Sequence, residues 1–320
     1  MRPRVAVIGV GAFGAAHVAA YQAQDVEVVG VADADRARAA GIAQRYGIPG
    51  VFDDGHRLLD ALRPDGVSVV TPAGSHVPLA RHAVDLGCRV LLEKPIAEHP
   101  ADLDQLPASA AELVVPGHVL RFDAAHRRLR EIVGTGLVGR VVGISACRDR
   151  ASWHLDRYPD THPALLTAVH DIDLALWVGG TRAATVVAHA PRAGLVFAQV
   201  TAADGAVWSI RTSWLLPGDA APSDEFAVHG TAGVATVRVG ATGTTLTAPS
   251  PEHEVAAFPV SSAPGLAEEI AHFVTLLRTR RPSDVVSLTE AAHVVRVAAA
   301  IVESAAEGGR PVVIPPEETR

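Results

Sequence analysis

The stretch from Arg4 to Asp33 leaves the chain few folds to choose from. It reads Arg4-Val-Ala-Val-Ile-Gly9-Val10-Gly11-Ala12-Phe13-Gly14, then an apolar helical run, then Val26-Glu-Val-Val-Gly-Val-Ala-Asp33. The pattern predicts strand, glycine turn, helix and strand, with an acid at the tip of the second strand. Each glycine has a mechanical job: one makes the tight turn, one lets backbone approach a pyrophosphate, and one lets the helix pack closely on the sheet. The pyrophosphate would rest on the N–H groups of Ala12, Phe13 and Gly14, where the helix dipole favours an anion.

With 28 glycines in the chain, such a turn alone says little, and its context decides. It follows an apolar strand directly, and Asp33 lies 19 residues after Gly14, close to the roughly 20 expected of a ribose-binding carboxylate. A carboxylate there accepts from the ribose hydroxyls and repels an added phosphate, so NAD is expected over NADP. Arg36 and Arg38 pull the other way.

At 320 residues the chain can bury two domains. A formal net charge of −7 speaks against a nucleic-acid partner, and no basic run is interleaved with aromatics. Cys88 and Cys147 form no metal or redox spacing, which fits a reducing cytoplasm. Arg2 and Arg4 before an apolar run imitate a signal peptide, but Gly9, Gly11 and Gly14 interrupt it, and we read it as mature structure. No uncharged apolar run is long enough for a membrane span.

After Asp33, strands and helices alternate, which predicts a doubly wound parallel sheet. Helices are expected over Asp35–Tyr46, His56–Leu62, His76–Leu86 and Pro100–Ala110, and strands over Val67–Thr71, Arg89–Glu93 and Glu112–Pro116. The first domain is expected to span residues 1–117. Residues 118–320 should form a second α/β domain on an open, mostly antiparallel sheet, with a cleft between the two. In it, Arg121–Val133 reads as helix, Gly139–Arg148 as strand, Ala151–Pro163 as an irregular loop and Ala164–Trp177 as helix. Short strands punctuated by turns fill Ala183–Ala248. Leu266–Arg280 and Leu288–Ala306 are amphipathic helices, and Pro311–Ile314 is a last strand.

Three features carry chemistry. Thr71-Pro72-Ala-Gly-Ser-His76 and Glu93-Lys94-Pro95 each end a strand and should face the same crevice as the glycine turn. A charged pair ending an apolar strand is either a solvated strand end or a cation set beside a reacting oxygen. The third is Val169-His170-Asp171-Ile-Asp173 on an apolar helix, where His170 and Asp173 share a face and Asp171 points elsewhere. His170 is either a core histidine paired with Asp173 or a base able to take a hydroxyl proton near neutral pH. His118 and Arg121 either meet substrate or pair with acids. His154, His162, Asp156 and Asp160 lack metal-ligand spacing, so no metal is expected. No serine shows a nucleophile elbow.

Taken together, the chain resembles the Gfo/Idh/MocA oxidoreductases. The carrying residues are Gly9-x-Gly11-x-x-Gly14-x-x-His17, Asp33, Thr71-Pro72 with His76, Glu93-Lys94-Pro95, Gly117-His118-x-x-Arg121-Phe122, His170-Asp171-Ile-Asp173 and the Gly230-Thr-x-Gly233 turn. Within the family it is most similar to the nucleotide-sugar 3-dehydrogenase branch. The resemblance implies hydride transfer between NAD and a secondary alcohol or ketone of a sugar, nucleotide sugar or cyclitol. It makes Lys94 the cleft lysine, with a possible cis bond to Pro95, His170 the acid/base and Asp173 an acceptor for a substrate hydroxyl. It also implies a homodimer or homotetramer through the C-terminal sheet.

One position departs. Many members carry an aspartate four residues before the histidine, and here that position is Leu166. Either Asp173, Asp156 or Asp160 stands in, or catalysis differs from the usual dehydrogenase. Two other functions stay open: a cofactor-retaining sugar reductase of natural-product assembly, and a non-catalytic NAD-bound sensor or partner subunit.

Overall fold

The computed structural model describes residues 2–249, 256–258 and 265–315. The remaining parts of the expected second domain, 250–255, 259–264 and 316–320, lie outside the described residues. In chain order the first elements are β1 (Arg4–Ile8), α1 (Ala12–Gln22), β2 (Glu27–Ala32), α2 (Arg36–Tyr46), β3 (Gly50–Phe52) and α3 (Gly55–Leu62). Then come β4 (Gly66–Val69), α4 (His76–Asp85), β5 (Arg89–Glu93), α5 (Ala110–Leu113), β6 (Val114–Gly117) and α6 (Ala124–Gly134). Next are β7 (Val141–Ala151), α7 (Trp153–Arg157), α8 (Val169–Gly179), β8 (Ala183–Arg192), β9 (Leu195–Ala202) and β10 (Val207–Leu216). The last are β11 (Ser223–Gly230), β12 (Gly233–Gly240), β13 (Gly243–Ala248), β14 (Ala256–Phe258), α9 (Gly265–Thr279), α10 (Leu288–Ala306) and β15 (Val312–Val313).

Two compact units result. The first takes Met1–Phe122 and also Ala263–Ala292. Its six strands run in the order β3-β2-β1-β4-β5-β6, all parallel. The direction of winding reverses between β1 and β4, which creates the crevice where such sheets take ligands. Val5, Val7, Val18, Tyr21, Val28 and Val31 form one core with Ile270 and Phe273. Helix α9 therefore covers the face that α1 helps to cover. Its landing place needs a glycine: a Cβ on Gly66 would lie 2.7 Å from Leu277. Asp35 and Asp54 cap α2 and α3 with their carboxylates, and Gly47 ends α2 at φ 68°.

One expected helix is different. Over Pro100–Ala110 the chain makes a 3₁₀ turn at Pro100–Gln105, breaks, and re-forms as the single turn of α5. Pro107 lies at the break, where it has no N–H to offer and its ring blocks the preceding turn. The following strand accordingly starts at Val114 and not at Glu112.

The second unit is Asp123–Ser262 with His293–Arg320. Its strands run in the order β14-β13-β12-β11-β7-β10-β9-β8-β15. Every neighbouring pair is antiparallel except β7 with β10. Strand β9 shows why the sheet has two faces: Val196, Ala198, Val200 and Ala202 are buried, and Phe197, Gln199 and Thr201 between them are exposed. The expected helix from Arg121 splits, because Asp123 accepts the N–H groups of Ala125 and His126 and starts α6 afresh. The expected loop Ala151–Pro163 contains a short helix, α7. The helix expected from Ala164 opens as a π turn, Ala164–Ala168, before α8.

Candidate active site

The crevice in the first unit is built from strand ends. Gly9 follows β1 at φ 85°, and a Cβ there would sit 2.6 Å from the Val70 carbonyl oxygen, so no side chain fits. A Cβ on Gly14 would lie 1.8 Å from the Gly9 carbonyl, because α1 is seated directly on the turn. Gly11 differs: a Cβ there would meet nothing within 4 Å. It is the N-cap of α1, no side chain caps that end, and the first turn holds no acid. The protein itself does not demand glycine at this position, whereas an anion lying on the helix start would. The turn thus fits the pyrophosphate of a dinucleotide.

Asp33 lies just past β2 and is already employed. One carboxylate oxygen accepts the N–H of Val10 at 2.9 Å, which ties the glycine turn to the second strand. The other accepts the N–H of Asp35 at 2.9 Å, and the Arg38 guanidinium approaches at 3.1 Å. The same guanidinium nitrogen also donates to the first oxygen at 3.3 Å, which fills the roughly four acceptor sites of a carboxylate, so a sugar hydroxyl would displace Arg38 from Asp33.

Thr71 and Pro72 follow β4 as a stiff loop in which the Ser75 hydroxyl donates to the Thr71 hydroxyl at 2.7 Å. His76 at the start of α4 is buried, with its ring nitrogens 2.7 Å from the Thr71 carbonyl and 2.8 Å from the Pro95 carbonyl. Strand β5 delivers Glu93 and Lys94, and the Lys94–Pro95 bond is cis. Of the 28 basic residues other than histidine, Lys94 is the only lysine. That signal was available in the sequence: a chain that uses arginine everywhere else keeps, at this one strand end, an amine that can shift its pKa and exchange a proton. The structure brings Gly9, Gly11, Gly14, Asp33, Thr71, Pro72, His76, Glu93 and Lys94 to the carboxyl ends of β1, β2, β4 and β5.

His118 follows β6 and is buried. Arg121 is also buried, and its guanidinium donates to the Val285 carbonyl at 2.8 Å and to Glu290 at 3.3 Å. These contacts fasten the returning segment 283–290 to the first unit.

In the second unit α8 is buried along almost its whole length. From Thr167 to Val178 every residue is buried except His170, which is partly exposed. Asp173 is buried on the same helix. Asp171 neither faces solvent nor idles. Arg148 on β7 grips it through Nε at 3.1 and 3.2 Å and Nη2 at 2.8 Å, and reaches Asp224 on β11 at 2.7 Å. Burial opposes a charge on Arg148, yet Asp171 and Asp224 raise its pKa. Sequence reasoning passed over Arg148, although it stands two and four residues after the inward-facing Ala146 and Ile144, where strand alternation expects an apolar side chain. The π turn also alters the meaning of Leu166. In a five-residue turn, counting four back from His170 does not return to the same face, and such turns recur at functional sites. Among the described residues no group of His, Cys, Asp and Glu could hold a metal ion.

Comparison with known proteins agrees with this geometry. Residues 3–119 match the model of the GFO/IDH/MocA oxidoreductase family with its NAD-binding Rossmann fold, and residues 126–236 match the family's C-terminal domain. The chain belongs to this family. Among curated members it is 32% identical over 198 residues to inositol 2-dehydrogenase 2 of Saccharopolyspora erythraea, covering 60% of this chain and 58% of that one. It is 32% identical over 192 residues to the D-glucoside 3-dehydrogenase of Escherichia coli, covering 55% and 54%. The matched stretches thus span little more than half the length of these curated relatives. Among solved structures of the family, a UDP-N-acetylglucosamine 3-dehydrogenase from Acidithiobacillus ferrooxidans superposes with a TM-score of 0.82 at 26% identity, over 95% of this chain and 98% of that one.

Proposed function

We propose that the chain is an NAD-dependent oxidoreductase transferring a hydride between the nicotinamide and a secondary alcohol or ketone of a sugar, nucleotide sugar or cyclitol. The observation that carries this reading is the placement of the sole lysine at the end of β5, on the strand-end crevice of the glycine turn. The relatives named above, dehydrogenases of inositol, a glucoside and a nucleotide sugar, support the substrate class.

When bound, the nicotinamide supplies the carbon that takes or gives the hydride. The N–H groups of Ala12, Phe13 and Gly14 would hold the pyrophosphate, and Asp33 would accept from the adenosine ribose. Lys94 stabilises negative charge on the substrate oxygen, a role worth several kcal/mol in a partly dry site. His170 takes the hydroxyl proton at a ring nitrogen. Asp173 and His118 accept or donate hydrogen bonds to other substrate hydroxyls, while Arg121 acts through the core it braces. The test is NADH formation over a panel of cyclitols, glucosides and UDP-sugars. Turnover on one class is expected, and tight NAD binding with no turnover on any would overturn the reading.

A non-catalytic NAD-bound protein is the second reading, favoured by Leu165 and Leu166 in the turn before His170. In that case Leu165→Asp and Leu166→Asp both change nothing, whereas a limiting carboxylate in an enzyme raises the rate in one of them.

Arg38 tunes the cofactor choice. It partly neutralises Asp33 and so softens the repulsion of a 2′-phosphate. Arg38→Ala is expected to weaken NADP binding by about tenfold and to leave NAD nearly unchanged. Titration of NADPH and NADH fluorescence measures both.

The second unit would assemble into a homodimer or homotetramer through its sheet. On the face lacking the buried row, Phe197 is 45% exposed and Val207 44% in a single copy. Phe197→Asp with Val207→Asp is expected to yield monomers by light scattering. A reducing compartment such as the cytoplasm fits the two free cysteines, of which Cys88 is pushed up to about 12 by burial and is inert as a thiolate. Among the described residues no helix is long and apolar enough to cross a membrane.

A further inference from the structure

Lys94 is flanked by two residues, and a buried imidazole lies against each: His76 is at hydrogen-bond distance from Pro95, and His17 is at ion-pair distance from Glu93 without hydrogen-bond alignment. On one side Glu93 turns its carboxylate inward. One oxygen accepts the N–H of Lys94 at 3.2 Å, and the other lies 3.2 Å from Nε2 of His17. The carboxylate also packs flat on the next strand, where a Cβ on Gly117 would come within 2.8 Å of it. His17 is wholly buried in α1. Its Nδ1 is 3.2 Å from the Ser68 hydroxyl on β4, and the Tyr21 hydroxyl, one turn further along α1, stands 2.8 Å from the same oxygen. On the other side the Pro95 carbonyl is 2.8 Å from Nδ1 of His76, whose Nε2 is 2.7 Å from the Thr71 carbonyl.

Neither arrangement is what hydrophobic packing would choose. A histidine and a carboxylate buried together in a parallel sheet cost desolvation that an apolar pair would avoid. The cost is retained where it fixes a geometry, and what the two histidines reach is the Glu93 carboxylate on one side of Lys94 and the Pro95 carbonyl on the other. They come from different helices, and α1 is the helix whose start would receive the cofactor's pyrophosphate.

We propose that His17 and His76 are positioning residues. His17 through Glu93, and His76 through Pro95, clamp the strand end and so fix the direction and surroundings of the Lys94 ammonium. The proposal rests on the role given to Lys94 above, and its test is chosen to separate the two. Because the chain has one lysine, acetylation of its amine is read on a single peptide by mass spectrometry, and the rate against pH reports the amine's surroundings without any turnover.

His17→Leu and His76→Leu remove the held contacts. His17→Gln keeps a donor at the Nε2 position facing Glu93, and His76→Asn keeps one at the Nδ1 position facing Pro95. Expected are an altered pH profile of Lys94 acetylation in both leucine variants, a return towards the parent profile in Gln and Asn, and NADH affinity within about threefold in the His17 variants, since His76 also holds the Thr71 carbonyl of the cofactor loop. Misplacing the ammonium by about 1 Å should lower kcat by about 10²-fold with KM for NAD little changed. Should His17→Leu not fold, Ser68→Ala removes only the hydroxyl that sets the other ring nitrogen, and it should shift the profile in the same direction by less. Unchanged acetylation profiles in the leucine variants, or in Ser68→Ala where leucine is not tolerated, overturn the clamp. An altered profile in a protein with no turnover on any substrate leaves the clamp standing and removes the catalytic role of Lys94.

Discussion

Lys94→Met is expected to lower turnover by about 10²–10³-fold while NADH binds with nearly parent affinity. Methionine keeps the length and apolar stem of lysine and removes the charge and the transferable protons, so the loss isolates the ammonium. The glycine turn, Asp33 and the Thr71 loop, which would carry cofactor affinity, are untouched. Lys94→Arg should not rescue. A guanidinium keeps its proton at any working pH and spreads its charge over a plane, so it replaces a compact donor by a wider, permanently charged one. Steady-state rates with the substrate class found by the panel, set beside fluorescence titration of NADH, decide the matter. Undiminished kcat in Lys94→Met would take the lysine out of the mechanism.

The largest stability effect should come from the second unit. Arg148→Met removes the partner of a fully buried carboxylate, Asp171, and leaves the part-buried Asp224 to Arg150. An uncompensated buried charge typically costs about 3–5 kcal/mol, and urea unfolding should show a loss of that size. The double variant Arg148→Met with Asp171→Leu should recover much of it, because an apolar pair replaces the ion pair outright. Full additivity of the two substitutions would mean that the pair is not coupled. The pair also matters beyond stability. Asp171 neighbours His170, so the guanidinium on β7 holds the turn of α8 that presents the imidazole.

The parts of the fold that the sequence made legible are those where backbone geometry admits few residues. The β1–α1–β2 unit was readable because Gly9 and Gly14 leave no space for a side chain, and because Asp33 sits where it can hold the Val10 N–H. Strand β5 and its charged end were readable for a similar reason, since an apolar run stopping on Glu-Lys-Pro has few other meanings. Periodicity failed where a local cause overrode it. Pro107 broke a helix that the surrounding residues favour. The π turn at Ala164–Ala168 left no trace in a segment apolar on all sides, since no polar stripe existed to slip out of phase. The return of Ala263–Ala292 to the first unit depends on α9 meeting Gly66 and Tyr21, pairings far apart in sequence that a local pattern does not contain. At the site, Asp171 and Arg148 went unpaired for the same reason, one on a helix and one on a strand. The neighbour of His17, Glu93, stands on a strand far along the chain, which no local pattern around α1 discloses.

The solitary amine at the end of β5 has a practical corollary for anyone handling this protein. Besides the α-amino group, ordinary amine coupling to a sensor chip or resin can draw on a single side chain, the one whose loss should silence the protein, so the fraction captured through it would look inert for reasons unrelated to its quality.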